Sequence, residues 1–393
     1  MTTKKGIEVS IAIADAAKLA RVEVVAAYPI TPQTHIVEHL SEIVANGELD
    51  AAYINVESEH SAMSACCGSS AAGARTFTST SAQGMELMHE ILFIAAGLRL
   101  PIVMASVNRA LSSPLSIWGD HSDIMAARDT GWIMLFCENG QEAVDATIMA
   151  FKIAEDRDVL LPVMVNLDGF SLSHVIEPIE LPSQETVDAF LPPYKPLYTL
   201  HPDKPVTMGA YGMPEIYTEA KYAQEMAIIR SKETIIKVMD EFGKQFGRYY
   251  KPVETYNTEK ADTVFIALGS IGENIKTAID NLKEKGKELG LISLRLFRPF
   301  PQEELVSILK DKKKVVVIER VMPGGAANGP LFNEISSAIL QSGLSIQPES
   351  YILGLGGRDV VPEQFQQIYE DLSAPKQKEQ KKEMNYRVIG VRA

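Results

Sequence analysis

Four stretches of the sequence place polar or charged side chains among small residues, each directly after an apolar run. The first is residues 28–34 (YPITPQT), in which two prolines fix the backbone of a turn. Such a turn would hold the hydroxyl of Thr31 in one place, where it could donate a hydrogen bond to a ligand. The same pattern is also typical of an ordinary strand-to-helix turn with Thr34 as the helix cap.

The second stretch, residues 56–74 (VESEHSAMSACCGSSAAGA), brings carboxylates to the start of a helix made of small residues. A helix of this kind lets a flat ligand or another backbone come close, and it is typical of an interface. Glu57 and Glu59 could serve such a ligand, or they could simply stabilise the helix N-terminus. His60 has only Glu57 as a second ligand at helical spacing, so we predict no metal site here.

The other two stretches carry hydroxyl groups and an isolated arginine. In residues 76–92 (TFTSTSAQGMELMHEIL), the Ser and Thr side chains could bind a ligand or cap the following helix. In residues 105–123 (ASVNRALSSPLSIWGDHSD), Arg109 lies among apolar and small residues and needs an anion, because burying an unpaired charge is costly. That anion is either the carboxylate of a substrate, bound by the guanidinium fork, or a structural partner, Asp120 or Asp123.

Short apolar runs, separated by helical patterns, determine where these stretches lie. They recur at intervals of roughly 25 to 30 residues over residues 1–175 and predict a doubly wound α/β domain with parallel strands. Ligands of such sheets bind beyond the carboxyl ends of the strands, which is where the four stretches begin. The predicted strands are residues 22–28, 52–56, 75–79, 102–107, 132–136 and 161–166.

The rest of the chain predicts a connector, a second domain and a tail. Residues 176–255 are predicted to form a proline-rich extended connector followed by a charged helix over 215–246. Residues 256–375 predict a smaller α/β domain, and residues 376–393 a charged tail whose apolar end we expect to pack on a neighbouring chain. The predicted strands of the second domain are residues 263–268, 291–296, 314–319 and 351–355.

Composition excludes several classes of protein. A formal charge of −13, from 51 acidic and 38 basic side chains, argues against binding to nucleic acid or to an anionic membrane. Cys66, Cys67 and Cys137 show no CxxC spacing, so we do not expect this chain alone to ligate an iron–sulfur cluster. They are typical of buried residues in a cytoplasmic protein rather than of a disulfide framework.

The N-terminal segment predicts an amphipathic helix rather than a signal peptide, and no apolar run is long enough to span a membrane.

The sequence also lacks one half of a possible cofactor site. Gly119 and Asp120 could begin the pyrophosphate motif of a thiamine-diphosphate site, but the downstream Asn that the motif requires is missing. The sequence contains neither a Walker loop nor a GxGxxG fingerprint after a strand. The chain therefore lacks the pyrophosphate half of such a site.

Taken together, these stretches resemble the alpha subunit of multi-subunit pyruvate:ferredoxin oxidoreductases, within the 2-oxoacid:ferredoxin oxidoreductase family. The resemblance covers nearly the whole chain in order, and it is specific for the superfamily rather than for one substrate. The matching motifs are YPITP, VESEHSA, SAAGARTFTSTSAQG, MHEILFIAAGLRLPIV, NRALSSPLSIWGDHSD, RDTGW and LLPVMVNLDGF, with LGLISLRLFRPFP and VVVIERVMPGG in the second domain.

The resemblance implies a division of labour among subunits. The alpha chain would contain a pyrimidine-binding domain for thiamine diphosphate and a domain similar to the C-terminal domain of transketolase. The beta subunit would hold the pyrophosphate and its Mg²⁺, the delta subunit [4Fe-4S] clusters, and the gamma subunit would complete the complex that reduces ferredoxin. The implied reaction is oxidative decarboxylation of pyruvate with coenzyme A to acetyl-CoA, CO2 and reduced ferredoxin.

The resemblance also implies roles for individual residues. Glu59 matches the glutamate that hydrogen-bonds the aminopyrimidine ring nitrogen of the cofactor and so has a catalytic role. Thr31 and Arg109 match the positions that hold the carboxylate of the oxoacid. The remaining candidates are Tyr28, Pro29 and Ile30, which would shape the cofactor pocket, and Asn108, Asp120 and His121, which would lie near the site with less defined roles.

The identity of the oxoacid is only partly constrained. A relative that uses oxalate carries an arginine in the turn where Thr31 stands, so Thr31 favours a monocarboxylate such as pyruvate. Branched-chain 2-oxoacids such as 2-oxoisovalerate are an alternative, and so is a transketolase-type transfer without electron transfer.

Overall fold

Two α/β domains, each built on a largely parallel sheet, make up the part of the chain that the computed structural model describes, residues 4–373 and 384–392. The fold class predicted from the sequence is thereby confirmed. In chain order, the elements up to the second domain are β1 (Lys5–Glu8), α1 (Val9–Leu19), β2 (Val24–Ala27), α2 (Thr34–Ala45), β3 (Ala52–Asn55), α3 (Glu59–Ala71), β4 (Thr76–Thr80), α4 (Ala82–Leu87), α5 (His89–Gly97), β5 (Ile102–Asn108), α6 (Ser122–Ala126), β6 (Ile133–Phe136), α7 (Gly140–Ala154), β7 (Val163–Asp168), β8 (Ile176–Ile179), α8 (Gln184–Phe190) and α9 (Pro214–Phe246).

The main sheet of the first domain is parallel in the order β6-β7-β5-β4-β2-β3. Every residue of β4, β5, β6 and β7 is buried, because helices cover both faces of the sheet. Helices α1, α2 and α7 share one hydrophobic core with alternate residues of β5, while α3, α5 and α6 share the other. All six carboxyl ends consequently lie along one edge.

The second domain has its own sheet, in the order β15-β14-β13-β10-β11-β9, in which only β9 is antiparallel to its neighbour. Its hydrophobic core lies between this sheet and the flanking helices. Its elements are β9 (Val253–Tyr256), β10 (Thr263–Ala267), α10 (Ile271–Glu284), β11 (Gly290–Leu294), β12 (Leu296–Arg298), α11 (Gln302–Leu309), β13 (Lys314–Glu319), α12 (Pro330–Gln341), β14 (Glu349–Ile352), a 3-10 turn (Leu355–Gly357), α13 (Pro362–Ser373) and β15 (Tyr386–Val388).

The two domains are joined by a shared strand and a shared core. Strand β12 leaves the second domain and pairs antiparallel with β6, so it forms an edge of the first sheet. The rings of Phe136 in β6 and Phe297 in β12 lie 6.0 Å apart, edge to face. The hydrophobic cluster around them includes residues of both domains, which therefore pack as one body.

The structure differs from the prediction in the connecting segments. Strand β1 precedes the predicted N-terminal helix and pairs antiparallel with β8, which lies inside the segment predicted as an extended connector, as does α8. Strand β15 lies within residues 386–391, which we expected to pack on a neighbouring chain, and it pairs with β14 of the same chain; the packing on a neighbour stays a prediction. The physical reason for the pairing is the open edge of β14, whose backbone groups need partners. Residues 376–383 of the predicted tail lie outside the described residues.

Among the described residues, no helix combines the length and the apolar character needed to cross a lipid bilayer.

Candidate active site

The carboxyl ends of four neighbouring strands bring the predicted site segments together. In the order β5, β4, β2 and β3, the strands lead into Arg109, the turn at residues 80–82, the turn at residues 28–33 and the N-terminus of α3. Because parallel strands end at the same edge of a sheet, side chains that are far apart in the sequence converge there.

The turn after β2 is held by its own hydrogen bonds. The backbone N–H of Gln33 donates to the Ile30 carbonyl at 2.9 Å, and its side-chain Nε2 donates to the Tyr28 carbonyl at 2.7 Å. Gln33 is the N-cap residue of α2, so the alternative in which Thr34 caps this helix is not realised. The predicted pocket residues Tyr28, Pro29 and Thr31 are exposed at this edge, and Ile30 is half-buried.

Arg109 lies directly after β5 and contacts the turn that carries Thr31. Its Nη1 donates to the Thr31 carbonyl at 2.8 Å, and its Nε donates to the Ser116 carbonyl at 2.7 Å. Within the described residues, Nη2 has no hydrogen-bond partner and the guanidinium group has no ion pair, although Arg109 is only 6% exposed. Burial lowers the pKa of Arg109, and the nearby Asp123 carboxylate opposes this effect. The structural ion pair with Asp120 or Asp123 is therefore not formed, and one arm of the guanidinium fork is free for another anion.

Glu59 is buried in the first turn of α3. Ser58 caps this helix by accepting a hydrogen bond from the Ser61 N–H at 3.2 Å, so the carboxylate of Glu59 is not needed as a cap. In the described part of the chain, that carboxylate accepts a hydrogen bond only from its own backbone N–H, and Glu59 is 5% exposed. Burial raises the pKa of Glu59, and the backbone hydrogen bond opposes this only in part. Such a carboxyl group retains its proton to a higher pH than an exposed one.

Gly84 in α4 packs directly against the carboxylate of Glu59. A Cβ atom at this position would lie 2.6 Å from Glu59 Oε1 and 2.5 Å from Thr80 Oγ1. Both distances are too short for any larger residue to fit without a shift of its neighbours. Gly84 is therefore required by a close approach, and it helps to set where the carboxylate lies.

Further polar atoms at this edge are buried without a partner. They are Gln33 Oε1, Thr80 Oγ1, Ser81 Oγ and Asn108 Oδ1, all unpaired within the described structure. Ser81 precedes α4 but makes no side-chain cap hydrogen bond, so capping does not explain its position. Asn108 keeps its amide nitrogen 3.1 Å from Ser106 Oγ. Because buried polar groups are nearly always paired, these unpaired atoms on neighbouring strand ends are candidates for binding a polar ligand.

This set of groups fits the aminopyrimidine part of thiamine diphosphate, the cofactor that the sequence resemblance implies. The ring nitrogen of an aminopyrimidine pairs with a carboxyl group, and Glu59 is a buried carboxyl group without another side-chain partner. The exocyclic amino group needs acceptors, and the unpaired oxygens of Gln33, Thr80, Ser81 and Asn108 can accept. Because Gly84 has no Cβ atom, the Glu59 carboxylate can lie against the backbone of α4.

Asp120, the one residue of the incomplete pyrophosphate motif that could bind a metal, is already engaged. Its Oδ1 accepts from the backbone N–H and the hydroxyl of Ser122 at 2.9 and 2.7 Å. Its Oδ2 accepts from the backbone N–H of Gly356 in the second domain at 3.2 Å. The structure therefore places Asp120 in a contact between the domains.

His121 takes part in a second contact between the domains. Its Nε2 lies 2.8 Å from Oδ1 of Asp168, the buried last residue of β7. Nη1 of Arg320 and the backbone N–H of Ser270, both from the second domain, approach the same carboxylate at 2.8 Å each. Although burial alone would raise the pKa of Asp168, the charges of Arg320 and His121 and the hydrogen bonds from His121 and Ser270 hold it well below its ordinary value. His121 is therefore part of a buried charge cluster between the domains.

One group of possible metal ligands occurs among the described residues, at the start of α2. Glu8, His35 and His174 bring ligand atoms within 4.8 Å of one another. The Glu8 carboxylate and Nδ1 of His35 share a hydrogen bond of 2.6 Å, and Nδ1 of His174 lies 2.8 Å from the Ser173 hydroxyl. These hydrogen bonds account for the arrangement without an ion.

Sequence reasoning missed three residues that shape this region. Gln33 and Asp168 each stand just beyond or at the end of a buried strand, and that position is a signal that could have identified them. Gly84 carries no comparable signal, because its importance arises from contacts across the chain. Asp123 was considered only as an ion-pair partner of Arg109, and it instead accepts from the backbone N–H groups of Arg109 and Ala82.

Known families account for most of the chain. A model described as pyruvate flavodoxin/ferredoxin oxidoreductase, thiamine diphosphate-binding, matches residues 15–240. A second model, pyruvate:ferredoxin oxidoreductase core domain II, matches residues 261–365. The gap between the two matches, residues 241–260, contains the end of α9 and strand β9.

Individual relatives agree with these family models. The chain is 53% identical to pyruvate synthase subunit PorA of Methanocaldococcus jannaschii, over 89% of this chain and 90% of that protein. It is 48% identical to ketoisovalerate oxidoreductase subunit VorA of Pyrococcus horikoshii, over 94% of this chain and 93% of that protein. Its fold is similar to that of a 2-oxoglutarate:ferredoxin oxidoreductase from Magnetococcus marinus, with a TM-score of 0.70, 20% identity and coverage of 94% of this chain and 65% of that one. The chain therefore belongs to the pyruvate flavodoxin/ferredoxin oxidoreductase family.

Proposed function

We propose that this chain is the alpha subunit of a complex that decarboxylates pyruvate oxidatively, with coenzyme A, to acetyl-CoA, CO2 and reduced ferredoxin. The observation that carries the proposal is a buried Glu59 carboxylate, without another side-chain partner in the described structure, at the same edge as the linked Arg109 and Thr31. The carboxyl group of Glu59 suits a cofactor that exchanges a proton, and the pair of Arg109 and Thr31 suits a substrate with a carboxylate. Relatives named as pyruvate synthase subunits support the same reaction.

Glu59 acts on the cofactor. Bound thiamine diphosphate supplies a carbon nucleophile for the ketone of the oxoacid and accepts the electrons released on loss of CO2. Glu59 holds a proton at the aminopyrimidine ring nitrogen, because the burial that raises its pKa favours the protonated form. Gly84 keeps the carboxyl group in position, and the unpaired hydroxyls of Thr80 and Ser81 lie on the neighbouring strand end.

Arg109 and Thr31 bind the substrate. The free Nη2 of Arg109 pairs with one carboxylate oxygen of the oxoacid, while Nη1 and Nε remain bound to backbone carbonyls and fix the side chain. The exposed Thr31 offers its hydroxyl to the same carboxylate. Tyr28, Pro29 and Ile30 form the wall beside it. Because one relative is named as a subunit of a ketoisovalerate oxidoreductase, 2-oxoisovalerate is the alternative substrate.

Partner subunits complete the site. Both oxygens of Asp120 are engaged within this chain, which supports a beta subunit as the holder of the pyrophosphate and Mg²⁺. Cys66 and Cys137 are buried, and burial raises the pKa of Cys67 to about 12, so these thiols are poor cluster ligands. The delta subunit carries the [4Fe-4S] clusters, and the gamma subunit completes the complex that reduces ferredoxin.

The proposal is tested by isolating the complex through a tag on this chain and identifying its subunits. We expect co-purifying cluster-bearing chains and reduction of viologen that depends on coenzyme A and thiamine diphosphate, with the highest kcat/KM for pyruvate. A higher kcat/KM for 2-oxoisovalerate would assign the alternative substrate. A complex without cluster-bearing chains that transfers two-carbon units between sugars would contradict the proposed electron transfer.

A further inference from the structure

The carboxylate of Asp123 connects the ends of two strands at the active-site edge. Asp123 is fully buried in α6, and its Oδ2 accepts from the backbone N–H groups of Arg109 and Ala82, both at 2.9 Å. Its Oδ1 accepts from the N–H of Ile124 at 2.7 Å. Within the described residues it has no ion pair. Burial raises the pKa of Asp123 to about 8, and the hydrogen bonds from these backbone groups oppose that effect only in part.

The two N–H groups that share Oδ2 belong to backbone positions next to the site. Arg109 is the first residue after β5, and Ala82 is the first residue of α4 after β4. Ala82 has a φ of 43°, in the left-handed region that side chains with a Cβ atom rarely adopt. The hydrogen bond from its N–H to Oδ2 of Asp123 helps to hold this conformation. One oxygen atom therefore fixes the strand end that carries Arg109 and the turn that follows Thr80 and Ser81.

The second domain fixes the segment that leads into Asp123. The carbonyl of Gly119 accepts from Nη2 of Arg320 at 2.9 Å and from the N–H of Gly357 at 2.7 Å. The N–H of His121 donates to the Arg320 carbonyl at 2.9 Å. Because these hydrogen bonds from the second domain fix residues 119–121 just before α6, Asp123 itself has a defined position.

We propose that Asp123 is a positioning residue, which acts through the backbone of Arg109 and Ala82 to orient the guanidinium group toward the oxoacid. This inference rests on the proposed function, because it takes Arg109 as the residue that binds the substrate carboxylate. Asp123 itself touches neither substrate nor cofactor.

A merely structural role for Asp123 predicts different kinetics. A buried carboxylate that only stabilises the fold lowers the amount of active enzyme when it is changed, without changing the KM for one substrate. A positioning role raises the KM for the oxoacid and leaves the KM for coenzyme A unchanged, because coenzyme A does not depend on Arg109.

The test uses the purified complex with Asp123→Asn and Asp123→Ala. Asparagine has nearly the same shape but replaces one acceptor oxygen by an NH2 donor, which cannot accept from the backbone N–H groups, so we expect the oxoacid KM to rise about 5- to 20-fold, and further with alanine. The matched control is Asp145→Asn, which changes a buried carboxylate in α7 that binds Arg248 and Tyr250. This control should lower thermal stability and leave the oxoacid KM within about two-fold.

A double variant adds a second readout. If Asp123 acts through Arg109, then Asp123→Asn should have no further effect on the oxoacid KM when Arg109 is already alanine. An unchanged oxoacid KM in Asp123→Asn, or equal increases in the KM for both substrates, would overturn the proposal. So would failure of both Asp123 variants to assemble while the Asp145 variant assembles. An unmodified complex that oxidises no 2-oxoacid would instead reject the proposed function.

Discussion

Two nitrogens of the Arg109 guanidinium bind backbone carbonyls, and the third is left available in the described structure. The side chain is therefore already oriented before a substrate arrives, which lowers the entropic cost of binding.

Glu57 and Glu59, two residues apart, differ in the direction in which their surroundings shift the pKa. Glu57 is exposed, and its hydrogen bond from Ser61 lowers its pKa, whereas burial raises the pKa of Glu59. Two carboxyl groups on one turn thus have opposite properties, and only Glu59 suits proton exchange.

Arg109→Ala should raise the oxoacid KM and lower kcat/KM by roughly 100-fold, since hydrogen bonds to charged groups contribute about 1.5–3 kcal/mol. The KM for coenzyme A should not change, because no role in its binding is assigned to Arg109. Steady-state kinetics of the purified complex measures both constants. An unchanged oxoacid KM would exclude Arg109 from the carboxylate site.

Helix α4 must approach α3 closely for the site to form, and Gly84 makes this possible. The strands themselves were predictable, because continuous apolar runs such as β5 and β7 are characteristic of buried parallel strands. The contact between α4 and Glu59 was not predictable from these patterns. It depends on the distance between two helices, which hydrophobic periodicity does not report.

Gly84→Ala should abolish most activity even though alanine has the higher helix propensity, because the new Cβ atom would lie 2.6 Å from Glu59 Oε1. We expect kcat/KM to fall about 100-fold, as for other small displacements of catalytic groups. Gly97→Ala in α5 is the matched control, since nothing lies within 4 Å of the corresponding Cβ position. Equal activities of the two variants would mean that Gly84 does not position Glu59.

At the end of β13, the Glu319 carboxylate accepts from the N–H of Leu331 in α12 at 2.7 Å, while its Oε2 is unpaired in the described structure. Burial raises the pKa of Glu319 from 4.5 to about 7. Because the pKa of Glu319 is higher in the folded protein than in the unfolded chain, its protonated side chain stabilises the fold fully at a pH below 4.5. This stabilisation is lost as the pH rises through about 7. Between pH 5 and 8, wild-type protein should therefore lose stability relative to Glu319→Gln, on the order of 3 kcal/mol. Parallel pH dependences in denaturant unfolding would contradict this assignment.

The two domains meet where strand ends of both sheets face each other, and the buried Asp168 cluster lies at this junction. The division into two α/β units was predictable from the composition of residues 176–255 and from the return of alternating strands and helices. The contacts at the junction were not predictable from the sequence. Strand β12 crosses to the first sheet, and Ser270 and Arg320 find their partner across more than a hundred residues of sequence. Asp120 and His121 were predicted near the site, and they lie in the contacts that hold the second domain against it.

Asp168→Asn should destabilise the protein by about 3–5 kcal/mol, because it leaves the buried Arg320 without its carboxylate. The pKa of Asp168 is held low in the folded state, so its contribution is present at neutral pH and is lost as the pH falls. Asp188→Asn changes an exposed pair with Arg21 and should cost less than about 1 kcal/mol. Thermal unfolding of both variants measures the difference, and similar midpoints would show that the junction does not depend on this carboxylate.

Activity of Glu59→Gln in the purified complex, compared with Glu57→Gln, tests the central claim most directly. Glutamine has nearly the same shape, so the complex should assemble, but it cannot hold the proton that the cofactor requires. We predict that pyruvate-dependent, coenzyme A-dependent viologen reduction falls about 100- to 10,000-fold in Glu59→Gln and stays within about two-fold of wild type in Glu57→Gln. Full activity in Glu59→Gln, or equal losses in both variants, would contradict the account.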